Sequence, residues 1–306
     1  VDRKRRLAGF AFTLTLIAGG SQAAGVYQWR DANGRVHFGD APAGENATDL
    51  TAQYDFRLPF EIRFDLINYR VPPPVRDRLS TSVSKIFTIY NQALDIQYPQ
   101  ESEFLIRIYG SEQAYRAYQR RVAPVLENAA GFYDSSTNRI TTWGMDERAL
   151  QRLVTHECSH AISASGGRRI PVWLNEGLAV YFESMHVSGL SATVPLSDYW
   201  LGVLRQRGYN RQLPDLRRTL DSEHNQWYAA NGHDNLSYAT SWSLVWFLMD
   251  SEAGRDILRQ LLHPPKRGSV PASSDVIARH WPGGLDGFSQ DWQHWLRNAR
   301  DAAHRY

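Results

Sequence analysis

Between Asp146 and Glu183 the chain carries two helix-forming segments separated by a glycine pair, and the first places two histidines four residues apart. An α-helix turns about 100° per residue, so His160 sits about 40° around from His156 and one turn further along. Glu157 falls on the same side, whereas Cys158 points roughly opposite, towards a core. Asp146 is placed to cap this helix, which runs through Arg148, Leu150 and Leu153 and ends near Gly166-Gly167. Two imidazoles with a carboxylate beside them on one helical face form the donor set of a catalytic zinc ion. The five-residue pattern alone also arises by chance in helices.

A catalytic zinc usually keeps three protein ligands, so a third must come from elsewhere. Pro171 suits the first turn of the second helix, and Glu176 lies early in it. If the loop from Ser163 to Arg169 folds this helix back on the first, Glu176 completes a site of two histidines and one glutamate. Glu183 follows seven residues later on nearly the same stripe. It reads either as the acceptor of a ring N–H from a ligating histidine or as a surface carboxylate.

With both segments in order, His156-Glu157-Cys158-Ser159-His160 followed by Trp173-Leu174-Asn175-Glu176-Gly177-Leu178-Ala179 resembles the gluzincin metallopeptidases. These include the aminopeptidase N group and a bacterial peptidase MA-like family, and the likeness covers about residues 131–248. The resemblance implies a zincin (thermolysin-like) catalytic domain that hydrolyses peptide bonds. It further implies that one Zn2+ ion is bound by His156, His160 and Glu176, with Glu157 as the general base for the zinc-bound water. It also implies that Tyr238 donates to the oxyanion of the tetrahedral intermediate; the alternative for Tyr238 is packing. Thr240-Ser241 stands where the aminopeptidases have a Lys-Gly pair. His224 and His233, just upstream, read as surface histidines or as assistants to the site. The aminopeptidases hold the substrate's amino terminus with a glutamate that Gly131-Phe132-Tyr133-Asp134 lacks. The expectation is therefore an endopeptidase rather than a strict aminopeptidase, with an edge strand within 131–142 pairing with an extended peptide or protein substrate.

The rest of the chain reads as an α+β order. Basic Arg3-Lys4-Arg5-Arg6, an apolar run from Leu7 to Gly19 and small residues to Ala24 read as a signal peptide over 1–24, which points to a periplasmic or secreted protein. The apolar run is shorter than the ~20 residues a bilayer span needs. No later run is longer, so no stable membrane span is expected after cleavage; an uncleaved anchor is the other reading. Alternating residues around Asn33-Gly34 predict a β-hairpin module over 25–45. That stretch resembles a small module of unknown function found after signal peptides in bacterial envelope proteins. A polar linker over 46–59 follows.

The main domain is expected over 60–306. Its strands come first, at 61–66 and 104–108, with a helix carrying Leu79, Val83, Ile86, Tyr90 and Leu94 between them. Ser111 is placed to cap a helix, and a hairpin turns over residues 134–138. A mixed sheet is thus followed, after Met145, by a mostly helical part.

The net charge of +2 is too small to suggest a nucleic-acid partner. The single cysteine, Cys158, fits an exported protein built without disulfides. Trp227, Trp242, Trp246, Trp281, Trp292 and Trp295 crowd the C-terminal part. Exposed, they suit a non-catalytic envelope binding protein on a peptidase scaffold; at helical spacing they suit packing. A zinc amidase acting on peptidoglycan is a further alternative.

Overall fold

The structure, a computed structural model, describes residues 27–30, 36–39, 47–49, 61–97, 103–126, 129–167, 169–189, 191–209, 212–231, 235–265 and 269–306. The expected signal segment and His233 lie outside the described residues. The chain divides into two compact units, Val1–Arg57 and Leu58–Tyr306.

In the first unit, β1 (Tyr27–Arg30) and β2 (Val36–Gly39) pair antiparallel, as the Asn-Gly pattern predicts. A third strand, β3 (Thr48–Asp49), pairs with the other side of β1. It falls inside the stretch expected as linker. Two residues are too few for alternation to reveal a strand, since main-chain pairing alone makes it.

The second unit opens with β4 (Ile62–Ile67), α1 (Pro73–Leu94), β5 (Phe104–Tyr109), α2 (Glu112–Val122) and the hairpin β6 (Gly131–Asp134) and β7 (Arg139–Trp143). The four strands form a mixed sheet in the order β4-β5-β7-β6, so β6 is an edge. β4, β5 and β7 run parallel and β6 runs antiparallel to β7. Phe104, Ile106 and Ile108 of β5 are fully buried, which is what their alternation requires of a central strand. The hairpin turn is held by Asp134, whose Oδ1 accepts the Ser136 N–H at 2.9 Å, and Asn138 takes the left-handed φ of 47°.

The helical half contains α3 (Glu147–Ala164), α4 (Val172–Glu183), α5 (Asp198–Tyr209), α6 (Leu216–Leu220), α7 (His224–Ala229), α8 (Leu236–Met249), α9 (Glu252–Leu262), α10 (Ser273–His280) and α11 (Gly284–Asn298). The expected caps are in place. Asp146 accepts from Ala149 N at 3.0 Å to start α3, and Ser111 accepts from Ala114 N at 3.3 Å to start α2. This is the α+β architecture anticipated, a mixed sheet followed by a helical C-terminal part.

The helical half also contains strands that its sequence hid. β8 (His186–Ser188), β9 (Ser191–Pro195) and β10 (Ala303–Arg305) form a separate antiparallel sheet in the order β10-β9-β8. The chain end returns across more than a hundred residues to pair His304 with Val194. Such pairing leaves no local periodicity. Tyr181 of α4 lies beneath it, its hydroxyl 2.7 Å from both His304 Nδ1 and the Tyr306 hydroxyl.

Apolar almost all around, α8 is buried along most of its length, as such a helix must be. The tryptophans explain themselves here. Trp227, Trp242, Trp246 and Trp292 are at most 2% exposed, so the packing reading holds for them. Small hydroxyls take the ring N–H groups of two of them, Ser241 from Trp227 at 3.2 Å and Ser243 from Trp292 at 3.1 Å, whereas those of Trp242 and Trp246 have no partner among the described residues. Trp281 and Trp295 are half-buried.

The helix pair α4 and α8 packs backbone against backbone. A Cβ on Gly177 would lie 2.6 Å from the Ser241 carbonyl oxygen and 2.8 Å from a Val245 methyl. Gly177→Ala must therefore push α4 away from α8, and we expect a loss of about 1–3 kcal/mol. Denaturant unfolding checks this, and a midpoint equal to wild type would show that the two helices separate freely.

Candidate metal centre

The residues of the site come from α3 and from the helix that folds back on it. α3 is anchored on its far side, where Tyr90 of α1 places its hydroxyl 2.7 Å from Ser159 Oγ and 3.0 Å from Ser163 Oγ. Cys158 is fully buried and its thiol is pushed well up by burial, so it is an inert packing residue. These contacts turn the opposite face of α3, with His156, Glu157 and His160, into an open cleft of about 1400 Å³.

A three-residue 3₁₀ turn, Ser165–Gly167, and a short loop separate α3 from α4, which starts after Pro171. The return brings Glu176, only 5% exposed, up to the histidines. The ring nitrogens His156 Nε2 and His160 Nε2 face each other at 3.1 Å. Each is 3.7 Å from Glu176 Oε2. Ligands about 2.0–2.2 Å from a tetrahedral zinc ion are about 3.3–3.5 Å apart, and the observed triangle brackets that spacing. Two facing imidazole nitrogens need either a shared proton or a cation between them, and a buried carboxylate completes the latter set. Among the described residues these three form the group of histidines and acids close enough together to hold a metal. The residues present therefore fit zinc.

Glu183 lies at the other end of α4, with Oε1 2.7 Å from His156 Nδ1. The ring N–H is thereby directed to Glu183, leaving the Nε2 lone pair towards the centre. His160 Nδ1 is buried and has no hydrogen-bond partner among the described residues. Burial pulls the pKa of His156 down. The hydrogen bond to Glu183 and the charges of Glu157, Glu183 and Glu176 outweigh it, holding the value up at about 9.

Glu157 is 9% exposed and lines the cleft with the two histidines. Tyr238, near the start of α8, lines it as well. Its phenol is pushed up by burial and by the charge of Glu176, so it stays a proton donor. His224 is also on the cleft wall, with its ring 4.5 Å from that of Tyr228.

One member of the site was missed in the sequence. The Tyr228 hydroxyl of α7 donates to Glu176 Oε1 at 2.6 Å. Burial and the Glu176 charge raise this phenol as well. α7 has six residues, too few for periodicity to mark a face, and Tyr228 reaches Glu176 only because α7 docks beside α4.

The edge strand β6 runs along the cleft next to α3. A Cβ on Gly131 would lie 2.6 Å from a Leu153 methyl, so a larger residue there would have to displace that side chain. Exposed Val125 (90%) and Val270 (47%), with Leu126 (40%), form an apolar rim.

A mixed sheet with an open edge thus stands beside two helices that bring histidines and a glutamate together in a cleft, an arrangement that goes with a peptidase-like scaffold. Residues 122–298 match the Peptidase MA superfamily, more than half of the chain, and the chain belongs to that superfamily. Residues 13–55 match a domain of unknown function, DUF4124. No curated protein matches the chain.

The raised pKa of His156 has a direct consequence for the metal-free protein. The stability it contributes is fully present below the unfolded value of about 6.5 and is lost as pH rises through about 9. Denaturation midpoints measured in chelator should fall between these values, and the fall should be much smaller in Glu183→Gln. Equal pH profiles for the two proteins would contradict the assignment.

Proposed function

We propose that the protein is an exported zinc-dependent endopeptidase of the gluzincin type. The observation that carries this reading is the triangle of His156 Nε2, His160 Nε2 and Glu176 Oε2, with Glu157 beside it at the floor of an open cleft. A zinc ion held there supplies a Lewis acid that polarises a carbonyl oxygen and acidifies water.

The remaining work falls to the side chains and the edge strand. An extended peptide pairs with β6 through main-chain hydrogen bonds, which orients its carbonyl towards the histidines. The apolar rim covers the aliphatic side chains of the substrate. Glu157 accepts a proton from the attacking water at a carboxylate oxygen. It then delivers that proton to the departing amide nitrogen, so that an amine leaves. Tyr238 donates its O–H to the oxygen on which negative charge develops. Glu183 keeps the His156 ring in one tautomer.

The endopeptidase reading is supported by the β6 residues Gly131-Phe132-Tyr133-Asp134, which lack a glutamate to hold an amino terminus. Export is supported by the basic, apolar and small-residue order of residues 1–24. Among the described residues no helix is long and apolar enough to cross a membrane. A binding protein that uses exposed tryptophans gains little from this structure, because most of the C-terminal ones are core residues.

Glu157→Gln should abolish hydrolysis of a peptide library while zinc stays bound at one ion per chain. Full turnover by that variant would remove Glu157 from the chemistry. Glu176→Ala should lower zinc content sharply by elemental analysis, and unchanged stoichiometry would remove Glu176 from the ligand set.

A further inference from the structure

Glu176 has two carboxylate oxygens, and the structure treats them differently. Oε2 faces the two histidine nitrogens at 3.7 Å, whereas Oε1 accepts the Tyr228 hydroxyl at 2.6 Å. The side chain is 6% exposed, so Oε1 has little access to water and needs a protein donor. Glu176 accepts no other hydrogen bond among the described residues. Tyr228 is fixed in turn by its neighbours. Its ring packs against Trp227 and Tyr238 with centroids 4.9 and 6.5 Å away. A reciprocal capping box between Glu223 and Gln226 holds the short helix α7 that carries it.

We propose that Tyr228 is a positioning residue that reserves Oε1 of Glu176, so that the carboxylate offers only Oε2 to a metal held by His156 and His160. The inference rests on reading these three residues as a zinc site. A carboxylate free at both oxygens can clasp a cation with two of them. With one oxygen committed to a phenol it acts through the other alone, which leaves room around the cation for water and substrate. Tyr238 belongs to the same aromatic patch and its phenol interacts with that of Tyr228, but it makes no hydrogen bond to Glu176 among the described residues. The two phenols therefore have separate duties: one aims the ligand, the other faces the reacting carbonyl.

The test compares the full-length wild type with Tyr228→Phe and Tyr238→Phe, measuring zinc affinity by competition with a chromophoric chelator. The visible absorption of the cobalt(II)-substituted proteins reports coordination number. Tyr228→Phe should bind zinc roughly 10- to 100-fold more weakly. Its cobalt spectrum should lose intensity, as a fifth ligand atom weakens the d–d bands. Tyr238→Phe should match wild type in both measurements. Removing the donor leaves buried Oε1 without a partner, so the metal-free unfolding midpoint should fall; the cobalt spectrum is the readout that a loss of stability alone does not move. Wild-type affinity and spectrum in Tyr228→Phe, or equal changes in the two variants, would overturn the proposal. A wild type that binds no zinc would instead bring down the metal-site reading beneath it.

Discussion

The arrangement of the cleft depends on how closely α4 can approach its two neighbours. On one side α4 folds back on α3 after a short loop, which sets Glu176 across from His156 and His160. On the other it lies on α8 at a distance only a glycine permits, with the Ser241 carbonyl where a Cβ of Gly177 would stand. The adjacent residues Glu176 and Gly177, about 100° apart around one helix, therefore serve two different interfaces. Widening the α4–α8 contact at Gly177 would move Glu176 relative to α3. Interiors packed to crystal-like density transmit such shifts rather than absorb them.

The electrostatics of the site follow from this packing. Three carboxylates, Glu157, Glu176 and Glu183, surround two imidazoles in a partly buried cleft, and their charges raise His156 against the opposing effect of burial. That excess of negative charge favours a cation, either a proton on His156 or a metal ion between the two rings. Each carboxylate is distinguished by what it touches. Glu183 meets the outer nitrogen of His156, Glu176 shares its oxygens between Tyr228 and the histidines, and Glu157 is left facing the cleft. The phenols around them stay protonated because burial and the nearby carboxylates disfavour a phenolate.

Local signals made much of this fold legible. Asp146 and Ser111 cap the helices they were expected to cap, because a cap needs only the residues of one turn. The alternation of Phe104, Ile106 and Ile108 marks a central strand, and the 134–138 turn follows from Asp134 and Asn138. The helical periodicity that set Cys158 opposite the histidines is matched by its complete burial. Features made by distant pairing were not visible. β10 closes a sheet with β9 from the far end of the unit, β3 joins β1 by main-chain pairing over two residues, and Tyr228 meets Glu176 across 52 positions. None of these leaves a pattern within a window of the chain.

Residue identity and helical spacing are enough to say which donors are available and which face carries them: His156, Glu157 and His160 on one stripe, and Glu176 and Glu183 on the next helix. Spacing along a helix is a property of the backbone, so it can be read without knowing the fold. How those stripes meet is a matter of tertiary packing. Packing sets the 3.1 and 3.7 Å separations among the three donor atoms, gives Glu183 to His156 and commits one oxygen of Glu176 to Tyr228. Those assignments depend on interhelical distance and on the docking of a six-residue helix. Both are fixed by side-chain volume and close backbone contact between segments far apart in the chain.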